Sequence, residues 1–85
     1  MIFSELAKEL RKRQLEKKIV PIELINALSD VDIVDSYFDC AKCRKNVWAE
    51  EAQQNLMQSS HSVDEFVERI SLGLKWHTRV AHRAN

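Results

Sequence analysis

Tyr37-Phe38-Asp39-Cys40-Ala41-Lys42-Cys43-Arg44-Lys45-Asn46-Val47-Trp48 is the stretch that decides how this chain folds. It holds both cysteines of the protein, with two residues between them and aromatic residues on either side. Beyond residues 44–76 come His77 and, after four further residues, His82. Cys-x2-Cys followed by His-x4-His supplies two sulfurs and two imidazoles, the donor set that tetrahedral zinc takes. Two thiolates at this spacing grip one ion because the knuckle turns both Sγ atoms the same way, and N–H groups of the turn hydrogen-bond to the sulfurs. Lys42, Arg44 and Lys45 surround the pair, and their charge favours the thiolate form.

Residues 38–48 therefore read as a tight knuckle with short extended arms, in which Asn46 is the residue best suited to a left-handed turn position. On the C-terminal side, residues 50–57 have helix-forming composition and residues 58–61 (Gln-Ser-Ser-His) read as a loop. Ser62-Val63-Asp64-Glu65 is a capping box, Ser at the N-cap and Glu three residues on. It opens a helix over 63–82 whose apolar stripe is Val63, Phe66, Val67, Ile70, Leu74, His77 and Ala81. Gly73 costs that helix about 1 kcal/mol relative to Ala, which points to close packing. His77 falls on the stripe and points into the domain. His82 lies roughly 140° further round an ideal helix, so the two imidazoles converge only if the last turn tightens or loosens. His61 is the reserve fourth ligand.

On the N-terminal side the chain reads as three helical segments. A first amphipathic helix covers 2–18, with Ile2, Phe3, Leu6 and Leu10 at helical spacing. Pro21 suits the first turn of a second helix over 21–28, striped by Ile22, Ile25 and Leu28. Ser29 looks like an N-cap, with Asp30 and Asp32 in the first turn of a third helix over 30–37 that presents Val31, Ile33, Val34 and Tyr37. The alternation Asp-Val-Asp-Ile at 30–33 also fits a strand, and two short helices after a long one also fit a helix-turn-helix. Against the latter, the segment that would enter DNA is acidic, and phosphates repel it. The expected fold is mostly α: one small domain over 1–85, with a helical part at 1–37, then at 38–85 a zinc knuckle clamped to a long C-terminal helix.

Composition supports an ordered single domain. Eighty-five residues bury only about 60–65% of their unfolded surface, so a metal crosslink is a useful stabiliser. An apolar content of 45%, with one Gly and one Pro, excludes a disordered chain. Thirteen basic and thirteen acidic residues cancel, so no overall field steers the protein to nucleic acid or membrane. The cancellation is uneven: residues 1–18 carry six Lys/Arg against three Glu, while residues 19–39 carry five acids and no Lys or Arg. No run approaches the ~20 apolar residues that span a bilayer, and the N-terminus has no signal-peptide pattern, so the expected location is cytoplasmic. In that reducing compartment a Cys-x2-Cys pair is a metal clamp or a redox pair before it is a structural disulfide.

Cys40-Ala41-Lys42-Cys43 on a knuckle preceded by an aromatic residue, with His77 and His82 at a helix end, resembles the two-cysteine, two-histidine zinc finger. In that family a ββα unit places the cysteines on a hairpin and the histidines on the helix. The resemblance implies Cys40, Cys43, His77 and His82 as ligands of a structural zinc. Its spacer is about twelve residues in the family and 33 here (residues 44–76), so the family's base-reading positions do not carry over.

Three other readings stand beside the zinc site. The cysteines also fit small buried hydrophobes, and His77 a hydrogen-bonded core residue. A redox Cys-x2-Cys calls for a βαβ context that the pattern lacks. No nucleophile–base pair, phosphate loop or carboxylate dyad is present, so no enzyme is expected. Two basic strips are possible contact surfaces. One is Arg11-Lys12-Arg13 at the end of the first helix, which also fits a solvated face balanced by the helix dipole. The other is Lys75, Arg79 and Arg83 beside Trp76 on the last helix. Trp76 lies off the stripe, and either packs on the N-terminal helices or stands out as an anchor for a partner. Two functions follow: a regulatory adaptor or inhibitor that binds a partner protein, or a zinc-finger-like nucleic-acid binder.

Overall fold

A computed structural model describes residues 2–18 and 20–82. The described residues form five helices and one minimal hairpin. The helices are α1 (Phe3–Lys17), α2 (Ile22–Ala27), α3 (Asp30–Ser36), α4 (Glu50–Ser59) and α5 (Val63–Ala81); β1 (Asp39–Cys40) and β2 (Lys45–Asn46) stand between α3 and α4. The mostly α fold, with its hairpin and long C-terminal helix, is the one the apolar spacing predicts.

α1 buries Leu6, Ala7 and Leu10 and ends on Lys18, whose left-handed φ of 54° lets its N–H reach back to the carbonyls of Gln14 and Leu15. Pro21 is the N-cap of α2 rather than its first residue, and only Ile25 of the expected stripe is buried; Ile22 is exposed. At α3 the helix prevails over the strand reading because Ser29 caps it reciprocally. The Ser29 hydroxyl accepts from the Asp32 N–H, and the Asp32 carboxylate accepts from the Ser29 N–H. Ile33 and Val34 enter the core while Val31, expected on the inner side, is 64% exposed. α3 carries no basic side chain.

Phe38 is the fulcrum of the core. Its buried ring meets Trp48 edge-on at 5.5 Å and Phe66 edge-on at 5.8 Å, tying the hairpin to α5. Leu6, Leu10, Ile25, Ile33 and Ile70 close around it. α5 starts at the Ser62 N-cap, which accepts from the Glu65 N–H. The second half of the expected capping box differs: the Glu65 carboxylate accepts from the His61 N–H, one residue earlier. The loop at 58–61 is also shorter than expected, since α4 runs to Ser59. Arg69 donates to the hydroxyls of Ser59 and Ser60, closing the turn onto α5.

Candidate metal centre

β1 and β2 pair antiparallel with Asp39 opposite Asn46 and Cys40 opposite Lys45, leaving residues 41–44 as the knuckle. Arg44, not Asn46, takes the left-handed position, at φ 58°, and its N–H donates to the Cys40 carbonyl at 2.7 Å. Asn46 has a bracing role instead. Its Nδ2 donates to Asp35 at 2.8 Å, and its Oδ1 accepts from the Trp48 N–H and from Gln53 Nε2. The hairpin is thereby fixed to α3 on one side and α4 on the other. Asn46 and Gln53 were not legible as functional residues, because no spacing rule links a turn amide to a helix seven residues on.

The knuckle faces the end of α5. Cys43 Sγ lies 3.4 Å from His77 Nε2 and 3.1 Å from His82 Nε2, and Cys40 Sγ lies 3.6 Å from His82 Nε2. All four donor atoms fall within 4.8 Å of one another. A tetrahedral ion with bonds of about 2.0–2.3 Å separates its ligand atoms by about 3.3–3.8 Å. The three sulfur–nitrogen separations are near that spacing, so Cys40, Cys43, His77 and His82 lie close enough to hold one metal ion.

The awkward five-residue step between the histidines is resolved by ending the helix. His82 is the C-cap of α5, with φ −117° and ψ 11°, and its N–H still donates to the Thr78 carbonyl. Leaving helical geometry at that one residue swings its ring back beside His77, the two ring centres 5.1 Å apart and nearly perpendicular. Ala81, expected on the inner stripe, is exposed.

The electrostatics of the two thiols differ. The Cys40 thiol is held below its ordinary value, chiefly by the backbone N–H of Cys43 and, after the opposing effect of burial, by the backbone of Lys42. The Cys43 thiol is pushed up, first by burial and then by its hydrogen bond and charge interaction with Cys40. The cationic surroundings thus act less than expected from sequence: turn N–H groups lead at Cys40, and burial leads at Cys43.

The remaining predicted site residues are dispersed. His61 is exposed beyond the N-cap of α5 and takes no part in the cluster. Arg11 is occupied internally: it donates to the carbonyls of Ile25 and Leu28 at 3.0 and 3.1 Å, closing the C-terminus of α2, and lies 3.6 Å from Asp30. Arg13 pairs with Asp64 at the start of α5. Lys12 alone of that strip faces solvent. Lys75, Trp76 and Arg79 are all exposed, so Trp76 does not cover the N-terminal helices; Arg83 lies outside the described residues. Beside Trp76 stand Leu72 and Val80, also exposed. Their four-residue spacing was the signal that could have shown a second apolar row on α5.

Gly73 has its packing reason. A Cβ there would sit 2.8 Å from Cη2 of Trp48 and closer still to Cζ2, so the indole lies on bare helix backbone. Among the described residues no helix is long and apolar enough to cross a membrane. No family model, no curated protein and no solved structure matches the chain.

Proposed function

We propose that this chain is a small zinc-stabilised interaction module, a regulatory adaptor or inhibitor that binds a partner protein in the cytoplasm. One observation carries the metal half of the reading: two sulfurs and two imidazole nitrogens from distant parts of the chain meet within 4.8 Å. Thiolate and imidazole donors in a tetrahedral set favour zinc over magnesium, calcium or manganese. Four protein ligands fill the coordination sphere, so the ion supplies folding energy rather than chemistry. Structural zinc of this type contributes an apparent ~10–16 kcal/mol in finger peptides, enough to decide whether so small a domain folds. The division of labour, cysteines on a hairpin and histidines at a helix end, resembles that of the zinc finger and supports this reading, with α4 standing between hairpin and helix.

The partner half rests on α5, whose outer face exposes Trp76 beside Leu72 and Val80. Large exposed apolar groups gathered on one face mark interaction surfaces. A nucleic-acid reading is favoured by one specific observation, the exposed Lys42, Arg44, Lys45, Lys75 and Arg79 around the metal end.

Native mass spectrometry before and after EDTA, paired with circular dichroism, tests the first half. One zinc per chain, lost together with helical signal, is the expected result; an unchanged fold with no metal bound overturns it. Oligonucleotide binding that falls by orders of magnitude between about 50 and 200 mM salt would replace the protein-binding reading with the nucleic-acid one.

A further inference from the structure

α5 has two apolar faces. Phe66 and Ile70 serve the core, with Leu74 and His77 continuing the line toward the metal. Leu72, Trp76 and Val80, spaced four residues apart, form a second row that is 58, 64 and 54% exposed. Between the two rows a groove runs along α5, walled on the hairpin side by Val47 and Trp48 and on the helix side by Trp76 and Val80. On the other side of the row from the groove stands the exposed pair Lys75 and Arg79, on the adjacent helix line.

Charge selects the occupant. Residues 40–49 and 69–82, the two segments that build this end of the molecule, contain no Asp or Glu. They carry Lys42, Arg44 and Lys45 on the knuckle and Lys75 and Arg79 on α5, all exposed. Among the described residues the ion pairs are Arg11–Asp30 and Arg13–Asp64, so neither Lys75 nor Arg79 has an acidic partner among them. A symmetric antiparallel pairing of two copies through this row would set Lys75 and Arg79 against their own counterparts, and like charges facing across an interface repel. The row therefore suits a different chain whose flank is negative.

We propose that the groove beside Leu72, Trp76 and Val80 docks an acidic amphipathic helix of another protein. Apolar residues of that helix, at three- and four-residue intervals, meet the row, and its Asp and Glu side chains meet Lys75 and Arg79. The inference rests on the protein-binding reading above and names the chemistry of the partner. Because His77 lines the groove and also belongs to the metal cluster, the same ion that fixes the end of α5 fixes the groove.

The test is selection from a displayed library of amphipathic helical peptides with randomised flank positions, on the full zinc-loaded chain. The expected result is enrichment of Asp and Glu at the flanks. Trp76→Ala should then weaken the selected peptide at least about tenfold without changing zinc content or circular dichroism. Reversing the flank with Lys75→Glu and Arg79→Glu should turn the selection toward Lys and Arg. Neutral or basic flanks enriched on the unaltered chain, or peptides indifferent to Trp76→Ala, would overturn the acidic-helix proposal while leaving protein binding in place. No enriched peptide, with single-stranded DNA bound at low salt, would remove the protein-binding reading itself. A concentration-dependent dimer abolished by Trp76→Ala would assign the row to a second copy.

Discussion

His82 Nε2 stands 3.1 Å from the sulfur of Cys43, although one residue caps the last helix and the other sits in a hairpin turn at the middle of the chain. Cys43 is also the cysteine nearest His77. The cluster is therefore centred on one sulfur, with Cys40 closing it from the buried side.

Removing either histidine of the cluster should be far worse than removing the third. On the proposed zinc reading, His77→Ala and His82→Ala each take away one of the four candidate ligands, and should weaken zinc by more than the 10–100-fold typical of losing an outer partner. His61→Ala, at an exposed residue outside the cluster, should leave affinity unchanged. Competition against a chromophoric chelator separates the three, and equal losses in all would mean the ligand set is misassigned.

Gly73→Ala should destabilise the fold even though Ala is the better helix former. The propensity gain is about 1 kcal/mol, whereas the new Cβ meets the Trp48 ring, and overpacking of this kind costs about 1–3 kcal/mol. Thermal melts should show a net loss. Adding Trp48→Leu should make the Ala substitution milder than it is alone, a coupling that a double-mutant cycle measures.

The basic run on α1 divides into residues with internal partners and one without. Arg11→Met removes two donors from the carbonyls of Ile25 and Leu28 and should cost about 1–3 kcal/mol in denaturant unfolding. Lys12→Met, at an exposed position, should stay within about 0.5 kcal/mol. Equal effects would mean that the run acts only through its charge.

The Ser29–Asp32 cap gives α3 a defined pH response. The hydroxyl and N–H of Ser29 hold the Asp32 carboxyl below its ordinary value of 3.8. A carboxylate favoured in the folded state stabilises above the unfolded value and loses that contribution as pH falls through the folded one. Asp32→Asn should therefore be less stable than the parent at neutral pH, and the gap should close below pH 3.8. Paired urea titrations at several pH values read the difference directly, since any loss of metal in acid is common to both chains. A gap that stays constant with pH would assign the cost to packing.

Much of this architecture was legible in the sequence because the residues that define it act locally. The capping serines at 29 and 62, the apolar period of α5 and the Cys-x2-Cys knuckle each announce themselves within a few residues. Gly73 was also legible as a close-packing site, though the sequence did not say against what. The misses share one cause, dependence on partners distant in sequence. Val31 looked inward by spacing, but Ile33 and Val34 already fill the space against α1. Arg11 looked like a solvated cation, but it ends α2 from across a turn. For Trp76 the sequence left two readings, cover for the N-terminal helices or an exposed anchor; Phe38, Trp48 and Phe66 already complete that core, and Trp76 is left outside.

α4 is held at both ends and buries no residue of its own. Asn46 and Gln53 tie its start to the hairpin, and Arg69 ties its last serine to α5. The four residues of the Cys/His cluster lie entirely outside it, and Leu56 and Met57 are the α4 side chains that pack against the core, so its outer face is free to vary in sequence. Within the 33 residues between Cys43 and His77, the exposed side of α4 is thus a place where this scaffold accepts new sequence while the cluster and the outer face of α5 stay as they are.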